Sequence, residues 1–272
     1  MKKSQILVLI LGVSMIAVLY SLPRIVVDNE EGNTEITDDK TSSRDSGVEI
    51  HDSPMDAGDR SILKELLTDL ETEDDKGKVS KLSDEIASLY IKAGKFDSAA
   101  YIFDLVAVKL ETSESWEKAG AAYYEAYTFA LDQEKVSLLA EKTRTYLGKV
   151  LEKDPKRLDL KTKMAMTYVS SANPMQGITM LREVLEEDPT NEDGLFNMGV
   201  LSMQSGQYKR AGERFEELVK HHPNNVEGQF YLGVSYFESK QNNKAKQQFE
   251  LVESMSKDPM VLASVESYLE RL

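Results

Sequence analysis

Between Glu192 and Pro259 the chain carries one 34-residue pattern twice. Leu195, Met198, Gly199, Ala211, Phe215 and Leu218 are followed 34 positions later by Gln229, Leu232, Gly233, Ala245, Phe249 and Val252. The slots that would pack helices together match, whereas the turn between them does not. A fixed period of this length marks a stacked-repeat architecture, in which each unit exposes an apolar face that only its neighbours can bury. Pro155, Pro189 and Pro223 keep the same spacing, and Pro259 follows at 36. Such an array is one cooperative body, so the 272-residue length does not translate into a domain count. It also predicts a binding scaffold rather than an active site.

Counting back from the clear pair recovers three earlier units. The first, from Ser80, has Ile86, Ala87 and Tyr90 leading into Gly94, Phe96, Ala99, Phe103 and Val106. In the second, Trp116, Ala119, Gly120 and Tyr123 form a Trp-x2-Ala-Gly-x2-Tyr opening. The third offers Met164, Ala165, Tyr168, Gly177, Leu181, Val184 and Pro189. Together these residues resemble the tetratricopeptide repeat family, whose unit is two antiparallel helices with small residues at their crossing and a proline after the second. The resemblance spans residues 80–259 and implies an all-α solenoid of about five helical hairpins: 80–112, 113–157, 158–191, 192–225 and 226–259. The unit 113–157 is 45 residues long, which is either a lengthened hairpin or an insertion. Leu63, Leu66, Leu67 and Leu70, one helix face by their spacing, predict an N-terminal capping helix within 61–79. Leu262, Val265, Leu269 and Leu272 predict a second cap over 260–272.

Ahead of the array, Lys2 and Lys3 precede an uncharged apolar run from Ile6 to Leu22. Seventeen residues of helix span roughly 26 Å, within the usual range for crossing a bilayer. Residues 1–27 therefore read as an N-terminal membrane anchor, with a cleaved signal peptide as the rival reading. Val18/Tyr20 and Leu19/Ser21 make poor small-x-small cleavage pairs, which favours the anchor. The basic start and acid-rich continuation place the N-terminus in the cytoplasm and the repeats outside. The expected location is a bacterial inner membrane, with the array periplasmic. Residues 28–60 hold 11 acidic and three basic residues with few apolar ones, and read as a disordered acidic linker.

Composition removes several function classes. A net charge of -14 is wrong for nucleic acid, and the absence of cysteine removes disulfides and thiolate chemistry. His221 and His222 lack a third metal ligand in register, and Asp28 to Asn33 breaks the spacing of a calcium loop. No nucleophile triad or phosphate loop appears, so neither an enzyme nor a cofactor is expected. Trp116 reads as repeat core.

In the family that the units resemble, the first helices line a concave binding surface. The resemblance places Lys81, Asp84, Ser88, Glu114, Glu117 and Tyr124 on its N-terminal part. It places Met166, Val169, Phe196, Val200, Met203, Phe230, Val234 and Phe237 on an apolar C-terminal part. The basic clamp with which some relatives hold acidic tails is absent: Asn197 fits one slot, but Asp84, Ser88, Thr162, Phe196 and Tyr231 occupy others. The partner expected is then a protein offering an apolar extended peptide or an amphipathic helix. The competing possibilities are that these side chains are core, or that the last helix covers them. The functional expectation is a membrane-tethered scaffold for protein partners; the alternative is a released periplasmic assembly factor or chaperone.

Overall fold

The computed structural model describes residues 55–272, and every described element is helical. The expected anchor at 6–22 and most of the acidic linker lie outside the described residues. Among the described residues, no helix is long and apolar enough to cross a membrane. Five helical hairpins follow one another: α2 (Lys76–Lys92) with α3 (Phe96–Leu110), α4 (Ser113–Phe129) with α5 (Gln133–Lys153), α6 (Leu158–Val169) with α7 (Pro174–Glu187), α8 (Glu192–Gln204) with α9 (Tyr208–His221), and α10 (Val226–Glu238) with α11 (Asn242–Met255). Helix α1 (Ala57–Thr72) precedes them and α12 (Pro259–Leu269) follows.

The starts of these helices are written locally. The side chains of Asp56, Asp75, Thr112, Asp132, Asn191, Asn225 and Asp258 each accept a hydrogen bond from an amide in the first turn, satisfying a donor that the helix leaves free. Asp56 moves the onset of structure ahead of the expected Ser61, and Asp75 starts the first hairpin at Lys76 rather than at 80. Pro155, Pro189 and Pro223 each stand two residues beyond a helix, where a ring that lacks an N–H blocks continuation. Pro259 differs from the reading that it closes a unit. It is the first residue of α12, a position where its missing donor costs nothing.

In three of the five hairpins the turn repeats in geometry although not in sequence. Gly94, Gly206 and Lys240 all adopt left-handed φ, at 70°, 69° and 64°. Lys240 holds the place 34 residues after Gly206, paying the strain of a side chain there.

In three of the hairpins a glycine on the first helix lies under a large residue on the second. A Cβ on Gly199 would stand 2.6 Å from Phe215 Cζ, one on Gly233 2.7 Å from Phe249 Cε1, and one on Gly120 2.4 Å from Leu147 Cδ2. Phe215 and Phe249 are fully buried, each contributing roughly 1.5–3 kcal/mol of transfer free energy. Phe215 also stacks on Tyr231 of the following unit, ring centroids 5.8 Å apart, so one side chain joins a hairpin internally and to its neighbour.

The first helices approach one another in succession, α4 to α6, α6 to α8 and α8 to α10, more closely than the second helices do. They therefore line the inner side of the array. Both ends are closed by polar surfaces. Leu63, Leu66, Leu67 and Leu70 of α1 pack toward Ile86 and Ile102, leaving Ser61, Glu65, Thr68 and Asp69 outward. On α12, Val265 is buried while Ala263, Ser264, Glu266, Ser267 and Glu270 face solvent. A terminal unit needs such a face for solubility.

The long unit is a lengthened hairpin. Helix α4 has 17 residues where α8 has 13, and α5 has 21 where α9 has 14, about one and two extra turns. The Gly120–Leu147 contact fixes the register against Gly199–Phe215, so the added residues all fall at the turn end, within 126–139.

Candidate protein-binding surface

Five of the eight expected groove residues, Met166, Val169, Phe196, Val200 and Met203, are half-buried on the inner helices α6 and α8. Phe196 meets Phe215 and Tyr231 edge-on at 6.0 and 5.7 Å, which fixes the ring while leaving part of it open. Val169 leans on α7, where its Cγ2 would lie 2.8 Å from a Cβ on Gly177.

Helix α10 is different. Val234, expected to line the groove, is 5% exposed and belongs to the core. Phe230 and Phe237 are half-buried, but both meet Tyr268 of α12, at 5.9 and 5.2 Å between ring centroids. The Arg271 guanidinium lies 4.8 Å over the Phe237 ring. The last helix thus covers the C-terminal end of the expected groove, and the open apolar stretch is carried by Met166, Phe196, Val200 and Met203.

Toward the N-terminus the inner side is polar, and its charges are used to join units. Lys118 Nζ reaches both carboxylate oxygens of Asp84 at 2.8 Å, donates to Ser80 Oγ at 3.1 Å, and stands 3.6 Å from Glu114. Arg157 binds Glu117 through two nitrogens, at 2.6 and 2.8 Å, and Asp159 at 2.9 Å. Hydrogen bonding to Arg157 holds the Asp159 carboxyl below its usual range, and the two carboxylates hold the guanidinium protonated. Tyr127 Oη donates to Ser170 Oγ at 2.7 Å, tying α4 to the end of α6. Burial pushes the neighbouring Tyr124 phenol up to about 12, with Tyr127 and Asp193 adding to the effect. Of the residues expected on this part, Ser88 turns its hydroxyl to Asp84 O, and Lys81 is exposed.

Sequence reasoning missed Lys118, Arg157 and Tyr127. A usable signal existed for one: Asp84 and Lys118 are opposite charges one repeat apart. Arg157, just before α6, reaches Glu117 of α4 much as Asn225, just before α10, reaches Glu192 of α8.

On the convex side, Asp97 pairs with Lys135, and Asp104 accepts from Tyr146 Oη at 2.6 Å and from Lys142 Nζ at 3.1 Å. Burial first, and Asp104 second, push the Tyr123 and Tyr146 phenols far above the ordinary range. Trp116, expected in the core, is half-buried and packs against it, with its ring under Lys149 and Lys153 at 5.2 and 4.2 Å. His221 contacts Glu217 at 2.9 Å, while His222 contacts Thr190 O at 2.8 Å and Glu192 at 3.4 Å. Among the described residues, no group of three or more potential metal ligands comes together.

The sequence of residues 202–263 matches the tetratricopeptide repeat family model. No curated protein matches the chain. Among solved structures, a tetratricopeptide repeat protein from Parabacteroides merdae is similar at 15% identity, over 78% of this chain and 79% of its own, with a TM-score of 0.58. YrrB, described as a tetratricopeptide repeat protein with an unusual peptide-binding site, is similar at 15% identity over 71% of this chain and 98% of its own, with a TM-score of 0.45. MamA from Desulfovibrio magneticus RS-1 is similar at 16% identity over 67% and 96%, with a TM-score of 0.49. The described chain is an all-α solenoid with the tetratricopeptide-repeat fold, and the family's sequence pattern is matched over residues 202–263.

Proposed function

We propose that this protein is a non-enzymatic scaffold that holds protein partners on the inner side of its array, at a bacterial envelope membrane. The observation that carries the reading is the apolar stretch on α6 and α8, where Met166, Phe196, Val200 and Met203 remain partly open on a concave surface. A concave apolar surface held by a rigid helical frame suits an extended apolar peptide or an amphipathic helix, because little order has to be created on binding. In this reading residues 6–22 anchor the chain, residues 28–60 act as a tether, and the array lies on the periplasmic side of the inner membrane.

The test is in-cell crosslinking of the full chain, followed by purification and identification of its companions. The parent is compared with Val200→Glu/Met203→Glu, once the variant is shown to keep its helical content and melting transition. Selective loss of one companion supports the inner surface as its site; an unchanged set of companions refutes it. Protease accessibility in intact and permeabilised spheroplasts tests the orientation, and digestion of the array only from the cytoplasmic side would overturn it.

A further inference from the structure

The lengthened α4–α5 hairpin exposes two large apolar side chains side by side at its tip. Leu131 is 99% exposed and Phe129 59%. The matching turns elsewhere, Ala93-Gly94-Lys95, Ser170-Ser171-Ala172-Asn173, Ser205-Gly206-Gln207 and Ser239-Lys240-Gln241, hold no apolar side chain larger than alanine, although Met175, just past the second of them, is 59% exposed. The base of the tip is tied to the preceding hairpin. Phe129 stacks face to face on Phe96 at 4.2 Å, and Lys135 pairs with Asp97, both side chains being largely buried. Between this stack and the loop lies a cleft of about 260 Å³. Thus the two added stretches of helix carry an apolar knob beside a recess, at the turn end of the hairpin and apart from the inner surface. Single exposed apolar residues are ordinary, but Phe129 and Leu131 together form an apolar tip that the packing of the array does not require.

We infer that this tip is a second docking surface, and that it fits a protein partner with an apolar recess rimmed by Lys or Arg. Charge selects the occupant. Glu125, Asp132 and Glu134 stand exposed around the knob, against Lys95 at the cleft. The chain as a whole carries a net charge of -14, so a second copy would bring like charge to the tip. An anionic lipid surface is repelled for the same reason.

The experiment places a benzophenone photocrosslinker at position 131 of the full chain in the cells that make it, with position 260 on the C-terminal cap as control. The expected result is a discrete adduct with a different protein at 131 and not at 260, mapping to an apolar segment flanked by basic residues. Glu125→Lys/Glu134→Lys should cut the adduct about fivefold or more, because charge reversal at a rim slows encounter. The milder Glu125→Gln/Glu134→Gln repeats the comparison, and each variant is first checked for an unchanged melting transition. Val200→Glu/Met203→Glu should leave the adduct in place, which separates this surface from the inner one. An adduct with lipid or with a second copy, no adduct at all, or a yield indifferent to charge reversal would each overturn the inference.

Discussion

Two glycine-to-alanine substitutions should move stability in opposite directions. In the unit 158–191 the small residues at the helix crossing are exchanged: Ala165 holds the slot of Gly199, and Gly177 that of Ala211. A Cβ on Gly177 would lie 2.3 Å from Ala165 O and 2.9 Å from Val169 N, both backbone atoms that no rotamer change can withdraw. Helices α6 and α7 would have to part by about 1 Å, and overpacking of this kind costs ~3 kcal/mol at the upper end of its range. Alanine returns ~1 kcal/mol of helix propensity, leaving a net loss of about 2 kcal/mol for Gly177→Ala. Gly148, inside α5, has nothing within 4 Å of its Cβ position. There only the propensity counts, so Gly148→Ala should gain ~0.5–1 kcal/mol. Urea unfolding followed by circular dichroism reads both. With a slope of ~2–3 kcal/mol/M, the midpoint should fall by nearly 1 M for Gly177→Ala and rise by ~0.3 M for Gly148→Ala. A Gly177→Ala protein at least as stable as the parent would refute the close helix crossing.

Lys240→Gly should stabilise the chain by about 1 kcal/mol by removing a side chain from left-handed backbone, and an unchanged urea midpoint would count against strain at that turn. The phenols of Tyr123, Tyr146 and Tyr236 are held protonated by burial first, with Asp104 beside the first two and Glu216 beside the third. Their folded pKa values exceed the unfolded value near 10, so the stability they contribute is complete below about pH 10 and is lost as pH rises beyond it. In an alkaline absorbance titration these phenols should ionise only together with the loss of helix signal, whereas smooth ionisation near pH 10 with the fold intact would contradict their burial. Asp159, lowered by Arg157, contributes stability present above about pH 4 and lost on further acidification. Arg157→Met should flatten the fall in stability below that pH, an effect kept small by solvent screening, and an unaltered acid limb would show the pair to be idle. Glu266→Leu/Glu270→Leu makes the free face of α12 apolar and should cause concentration-dependent association in size-exclusion chromatography; a strictly monomeric variant would argue that this face is not the capping surface.

Most of the fold was legible before any coordinates. Gly199, Ala211, Phe215 and their counterparts 34 residues on are a local code, because every hairpin in a stacked array solves the same packing problem with the same residue sizes. The capping residues and the prolines after α5, α7 and α9 are equally local. The turn was less legible, since Lys240 adopts by strain the conformation that Gly206 adopts freely.

The candidate surface was legible only in part. Repeat position placed Met166, Phe196, Val200 and Met203 on the inner side, because that assignment depends on the face of one helix. Periodicity could not show that Tyr268 of α12 would settle on Phe230 and Phe237, nor that Val234 would be sealed in the core. Those outcomes depend on how far the last helix closes over the array, which is set by contacts between units. The 45-residue length announced something unusual in the second unit. Only the tertiary structure decided that the added residues continue two helices, lean on Phe96 through Phe129 and leave Leu131 in solvent, because the direction of a hairpin extension is chosen by the neighbour on which it rests.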